Sequence, residues 1–182
     1  MEVGGGQGLD ELTLVLGGAR SGKSRYAEGL VTAGAPPWLY AATAQAFDEE
    51  MGARIEEHRG RRAQGWLTME APLELPALIA REGVVGAAIL VDCATLWLSN
   101  VMLAGREVDD EVDALLAALA GAGARIVVVS NEVGQGIVPD NALARAFRDH
   151  QGRLNQRLAG QAGRVILTVA GLPLALKGEV QP

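Results

Sequence analysis

Residues Gly17-Gly18-Ala19-Arg20-Ser21-Gly22-Lys23-Ser24 follow the pattern G-x-x-x-x-G-K-[ST], and the apolar run Leu12-Thr13-Leu14-Val15-Leu16 stands directly before them. A glycine loop between a strand-like run and a helix-like stretch narrows the possible folds to those in which a strand edge meets a helix N-terminus. The spacing has a chemical reason. Glycines let successive backbone N–H groups curl around phosphate oxygens, Lys23 reaches the β- and γ-phosphates, and the Ser24 hydroxyl can ligate Mg²⁺. A helix expected over residues 24–31 sets its positive end against the same anion. The chain has only two lysines, Lys23 and Lys177, so a lysine in this slot is not background from a lysine-rich composition. A nucleoside triphosphate is the ligand these residues predict.

Strand and helix signals alternate after the loop. Near-continuous apolar runs at 12–16, 38–42, 87–91, 125–130 and 164–169 read as strands covered on both faces. Helical patterns are expected at 24–31, 48–59, 73–81, 109–120 and 141–159. The expected fold is therefore an α/β, P-loop NTPase-like domain, with a mainly parallel sheet and helices on both faces. In such sheets the ligand crevice lies at the carboxyl ends of the strands, where Gly17, Thr43, Asp92 and Asn131 fall. Residues 60–72 admit two readings, a short strand around Trp66–Glu70 or a surface loop. Residues 1–10, rich in glycine, read as a flexible leader to a single domain over 11–182.

Composition removes several classes. The apolar and glycine stretch at 84–91 is too short to span a bilayer and ends on Asp92, so no membrane segment is expected. A net charge of -6 argues against a general nucleic-acid binder. The N-terminus lacks the basic and apolar regions of a secretory signal. One cysteine, Cys93, forms no intrachain disulfide and agrees with a reducing cytoplasm.

Three further positions carry candidate chemistry. Asp92 follows Ile89-Leu90-Val91 and reads either as the Mg²⁺-side carboxylate of a loop-type NTPase or as a strand-end cap of the next helix. The chain has no Asn-Lys dipeptide, and Asp92-Cys93-Ala94-Thr95 lacks glycine at its fourth place, which argues against a switch GTPase. His58 stands among Arg54, Arg59, Arg61 and Arg62. A neutral imidazole there could attack phosphorus while the guanidiniums stabilise the growing charge, or the arginines could form a solvated face with Glu49, Glu50, Glu56 and Glu57. The other histidine, His150, lacks such a cluster and reads as structural. Glu132, in the glycine-rich stretch Asn131-Glu132-Val133-Gly134-Gln135-Gly136, reads either as a group for a substrate hydroxyl or metal, or as part of a helix-connecting turn.

Several ordered blocks resemble one family. They include Gly17 to Arg25, Tyr40-Ala41-Ala42-Thr43-Ala44, Arg54-Ile55 with His58-Arg59, then Trp66, Thr68 and Glu70. Another comprises Asn131-Glu132-Val133-Gly134 with Gly136-Ile137-Val138-Pro139, continuing through Asn141, Arg145, Phe147-Arg148-Asp149, Gly152 and Asn155-Gln156. The set runs over nearly the whole chain and is similar to the bifunctional adenosylcobinamide kinase / adenosylcobinamide-phosphate guanylyltransferase family of cobalamin biosynthesis. The resemblance implies phosphorylation of the terminal hydroxyl of adenosylcobinamide by GTP or ATP, then transfer of GMP from GTP through a guanylyl-histidine at His58. It also implies nucleotide contacts from Gly17, Gly18, Ala19, Arg20, Ser21, Gly22, Lys23 and Ser24, from Ala42, Thr43 and Ala44, from Arg59, Gly60, Arg61 and Arg62, and from Glu70 and Asp92. Mg²⁺ would sit at Ser24 and Asp92, and the family is typically a homotrimer. This chain departs from the family pattern at Ala44, where serine is frequent, at Arg62-Ala63, where Arg-Pro is frequent, and at Glu57, where a second histidine can stand. A plain P-loop small-molecule kinase and a nucleotide-binding module without group transfer are the competing readings.

Overall fold

The computed structural model describes residues 12–45 and 64–180. Within them the elements run β1 (Leu12–Gly17), α1 (Lys23–Thr32), β2 (Trp38–Ala42), β3 (Trp66–Glu70), α2 (Leu75–Glu82), β4 (Ala88–Asp92), α3 (Ala94–Leu103), α4 (Val108–Gly121), β5 (Arg125–Asn131), α5 (Ala142–Gln161), β6 (Arg164–Val169) and β7 (Leu172–Lys177). Seven strands form one sheet in the order β3-β2-β4-β5-β1-β6-β7. All neighbours pair in parallel except β6 and β7, which form an antiparallel edge.

The period-2 alternation of the strands sorts the core into two layers. Leu12, Leu14 and Leu16 of β1 face the cluster built from α2, α3, α4 and α5, including Ile79, Trp97, Leu115 and Leu158. Val15, between them, faces Ala27, Leu30 and Val31 of α1 on the other side. Both faces of β1 are therefore dry, and this explains why the strand is apolar at nearly every position.

The segment 66–70 is a strand: Ala42 pairs with Glu70 and Trp38 with Trp66. Two elements were not expected from the sequence. Helix α3 is apolar around most of its circumference, with Trp97, Leu98 and Val101 fully buried, so no one-sided stripe marks it. Strand β7 carries Pro173 and pairs on one side only, the sheet position where proline costs no ladder bond. The expected helix at 48–59 and the leader at 1–10 lie outside the described residues.

Helix α5 presents Gln151, Leu154, Asn155 and Leu158 to the interior, two polar side chains on an otherwise apolar stripe. They are bonded. Ser130 Oγ donates to Asn155 Oδ1 (2.7 Å), Gln151 Nε2 donates to Ser130 Oγ (2.9 Å), and Asn155 Nδ2 donates to the Asn131 carbonyl (3.0 Å). On the far side, Thr95 Oγ1 of α3 accepts from the Asn131 N–H (2.7 Å). The carboxyl end of β5 is thus clamped between α3 and α5. Asn155→Ala strips partners from Ser130 and Asn131, and unfolding in urea should show a loss of about 1–3 kcal/mol, the cost of leaving buried polar groups unsatisfied. An unchanged midpoint would mean that the clamp contributes nothing to stability.

Candidate active site

Gly17 ends β1 between two neighbours, pairing with Asn131 of β5 and Thr168 of β6. A Cβ on Gly17 would lie 2.4 Å from Ser21 Oγ and 2.8 Å from the Thr168 carbonyl oxygen, so only glycine lets the loop turn this tightly. The turn continues through Arg20 (φ 56°) and Gly22 (φ 92°), both left-handed. Gly22 is the N-cap of α1 and supplies no side-chain cap, and no acidic residue occupies the first turn. The free N–H groups and the positive helix end are therefore left to an anion.

Lys23 Nζ donates to the Gly18 carbonyl (3.0 Å), which holds the ammonium over the loop. Burial lowers its pKa from the usual lysine value, opposed in part by Cys93 and by the Asp92 carboxylate. The Ser21 hydroxyl, 9% exposed, has no hydrogen-bond partner among the described residues. The same holds for the Thr168 hydroxyl, 1% exposed. The β6–β7 turn braces the loop from behind, since the Gly171 N–H donates to the Ser21 carbonyl (2.9 Å).

Strand order brings the other candidates to the same sheet edge. From β3 to β6, the carboxyl ends carry Glu70, Ala42 with Thr43 and Ala44, Asp92, Asn131 with Glu132, Gly17, and Thr168 with Val169. Asp92 is half-buried, and its Oδ2 accepts from the Tyr40 hydroxyl (3.0 Å). It does not cap α3. That cap is Cys93, whose Sγ accepts from the Leu96 N–H (3.4 Å). Burial, and then the neighbouring Asp92, push the Cys93 thiol up to about 12, so it is neutral at ordinary pH and no nucleophile.

Thr43 is fully buried. Its Oγ1 donates to the Cys93 carbonyl and accepts from the Cys93 N–H, both at 2.8 Å, and its own carbonyl accepts from Asn100 Nδ2 (2.8 Å). This side chain fastens the end of β2 to the residue after Asp92. Ala42 and Ala44 are half-buried beside it, and Glu70 is exposed at the end of β3. His58, Arg59, Gly60, Arg61 and Arg62 lie outside the described residues.

Glu132 follows β5, and its N–H donates to the Gly17 carbonyl (3.2 Å). A cleft of about 470 Å³ is lined by Gly18, Arg20, Ser21, Glu132, Gln135 and Thr168, among others. The carboxylate thus shares a cavity with the phosphate loop. Glu132 Oε1 accepts from the Gly134 N–H (2.6 Å), which fixes the direction of its side chain. The sequence reading did not single out Thr168, Tyr40 or the Thr95–Ser130–Gln151–Asn155 clamp as parts of the site. Tyr40 and Asn155 stand in blocks that carry the family resemblance, and the others show only as polar residues at inward positions of apolar elements; neither signal says what they touch.

A parallel sheet whose central strand ends in a glycine loop, with a lysine and a hydroxyl opening the next helix and a carboxylate at the end of another strand, defines a P-loop nucleotide-binding fold. Solved structures agree on the fold. A Pyrococcus horikoshii protein aligns at a TM-score of 0.51 and 12% identity over 92% of this chain and 86% of its own. An ATPase of the bacterial type III secretion system aligns at a TM-score of 0.52 and 10% identity, over 91% of this chain and 56% of that one. Within this class, the chain belongs to the cobinamide kinase / cobinamide phosphate guanyltransferase family, whose model matches residues 13–176. It is accordingly an enzyme of a kinase and guanylyltransferase family. The bifunctional adenosylcobalamin biosynthesis protein of Pseudomonas aeruginosa is 51% identical over 168 residues, covering 91% of this chain and 97% of that relative. The protein of the same description from Salmonella typhimurium is 44% identical over 181 residues, covering 91% and 99%.

Proposed function

We propose that this enzyme phosphorylates adenosylcobinamide with GTP or ATP and then transfers GMP from GTP onto the product, giving adenosyl-GDP-cobinamide and pyrophosphate. The observation that carries this reading is the shared cleft, in which a carboxylate, Glu132, faces the same space as the phosphate loop. The family and the curated relatives supply the substrate class; a homotrimer working in the cytoplasm completes the proposal, as the family resemblance in the sequence implies.

In the first step the terminal hydroxyl oxygen attacks the γ-phosphorus. The new O–P bond forms as the bond from that phosphorus to the β–γ bridging oxygen breaks, and the electron pair leaves with the nucleoside diphosphate. Glu132 takes the hydroxyl proton, the role a carboxylate plays in phosphoryl transfer elsewhere. Lys23 and the N–H groups of the loop hold the phosphate charge in place. In the second step a ring nitrogen of neutral His58 attacks the α-phosphorus of GTP and pyrophosphate leaves. This gives a guanylyl-imidazolium. A phosphate oxygen of the corrinoid then attacks the same phosphorus, the P–N bond breaks, and the imidazole returns neutral. Guanidiniums at Arg59, Arg61 and Arg62 are suited to stabilise charge on the triphosphate during this exchange.

The donor set fits a magnesium nucleotide. Ser24 and Asp92 offer one hydroxyl and one carboxylate, both hard oxygen ligands, and Mg²⁺ is usually held by one or two carboxylates plus substrate phosphates. Among the described residues no group of three or more His, Cys, Asp or Glu side chains makes a complete protein cage. Bound there, the ion would neutralise phosphate charge.

Glu132→Gln tests the base. The amide keeps the shape and cannot take the proton, so kcat for phosphorylation of adenosylcobinamide should fall about a hundredfold with KM for GTP little changed. A kcat within a factor of about three of wild type would remove Glu132 from this role.

A further inference from the structure

The geometry points to a second cleft, lined in part by the same loop as Glu132, as the seat of the corrinoid ring system during both reactions. This rests on the reading just given, in that a corrinoid is the acceptor. The cleft, about 400 Å³, is lined by Gly134, Arg148, Asp149, Gly152, Arg153 and Gln156. Gly134 is the near neighbour of Glu132 and Gln135, which line the phosphate-loop cleft. One loop therefore contributes to both cavities. A substrate whose reactive hydroxyl enters the first by a flexible arm has a place for its bulk in the second.

The lining matches the chemistry of that bulk. A corrin ring carries amide side chains around its rim, each offering both a donor and an acceptor, with methyl groups over an otherwise apolar face. The cleft supplies donors from Arg148 and Arg153, acceptors from Asp149, and both from Gln156. A triphosphate would meet the Asp149 carboxylate there, whereas a neutral polyamide rim would bond to it. Arg148 is not free to swing, because its Nη2 donates to the Gly134 carbonyl and ties α5 to the loop. Arg153 is exposed and open to a ligand. The same loop and the first turns of α5 show Ile137, Val138 and Leu143 to solvent at 98%, 63% and 59%, an apolar lip suited to ring methyl groups.

Gly152 lines the cleft, and a Cβ there would meet no side chain or other part of the chain within 4 Å, so the space beside it is open to a ligand and a larger side chain would fill it. Gly160, on the same helix and equally open, does not line it and serves as a control.

The experiment uses the full chain with adenosylcobinamide and GTP, measuring KM for each in wild type, Gly152→Leu, Arg153→Ala and Gly160→Ala. Thermal melting accompanies it, and Gly152→Ala should melt no lower than wild type. The expected result is a rise of about tenfold or more in KM for adenosylcobinamide in Gly152→Leu and Arg153→Ala. KM for GTP should stay within about twofold, with Gly160→Ala indistinguishable from wild type. If wild type turns over the corrinoid and both cleft variants keep its KM, or if KM for GTP rises in step, the site assignment is overturned while the proposed activity stands. If wild type neither binds nor turns over the corrinoid, the proposed activity fails and takes this site with it.

Discussion

Lys23→Ala is expected to lower kcat/KM with GTP or ATP by about a thousandfold, the scale of removing a cation that stabilises a transferring phosphoryl group. Lys23 is the only lysine near the loop; Lys177 lies at the end of β7, with its Nζ donating to the Ala159 and Gly160 carbonyls. Arg25, the other cation of the first turn, is exposed two residues on, about 200° around the helix from Lys23, and does not replace it. The fold should survive, since the ammonium makes one bond, to the Gly18 carbonyl of its own loop. Circular dichroism and a urea midpoint near that of wild type would confirm that the loss is chemical. Turnover within about tenfold of wild type would take Lys23 out of the mechanism.

His58→Ala has the larger expected effect, confined to one of the two reactions. A nucleophile cannot be replaced by positioning alone, so guanylyl transfer should fall by about 10⁴-fold or more, in line with nucleophile deletions in other enzymes. Phosphorylation of adenosylcobinamide needs no imidazole and should persist. Phosphorylated corrinoid would therefore accumulate with GTP present and no pyrophosphate released. Equal loss of both reactions would mean that His58 shapes the site rather than forming the bond.

Much of this was legible in the sequence, and the limits have physical causes. The segment from β1 through α1 could be read because the glycine loop, the apolar run before it and the helix pattern after it agree with one another. Strands 38–42 and 164–169 were readable to the residue, because each carries a run of largely buried apolar residues, Trp38 to Ala41 and Val165 to Leu167. Helix α3 was not, because a helix buried on most sides has no polar face to set its period. Glu132 was placed at the sheet edge that carries the phosphate loop, but not beside that loop. A sequence shows where strands end but not which strands are neighbours, and it is the placement of β5 beside β1 that brings Asn131 against Gly17. Asp92 had two roles open to it. Cys93 caps the next helix and so removes the capping role, while the Asp92 carboxylate stands at the carboxyl end of β4 with the Tyr40 hydroxyl bonded to it. Thr43 shows the reverse: it was expected among the nucleotide contacts, yet its hydroxyl is spent on the Cys93 backbone.

The central claim is that the loop presents the α-phosphorus of GTP to a histidine as well as the γ-phosphorus to a hydroxyl. It is tested most directly by incubating the protein with Mg²⁺ and GTP labelled in the α-phosphate. Wild type should retain label on the chain, in a bond that acid cleaves and alkali does not, as expected of a phosphoramidate at His58. His58→Ala should retain none. A wild-type chain that stays unlabelled, or a His58→Ala chain that keeps the label, would contradict the account.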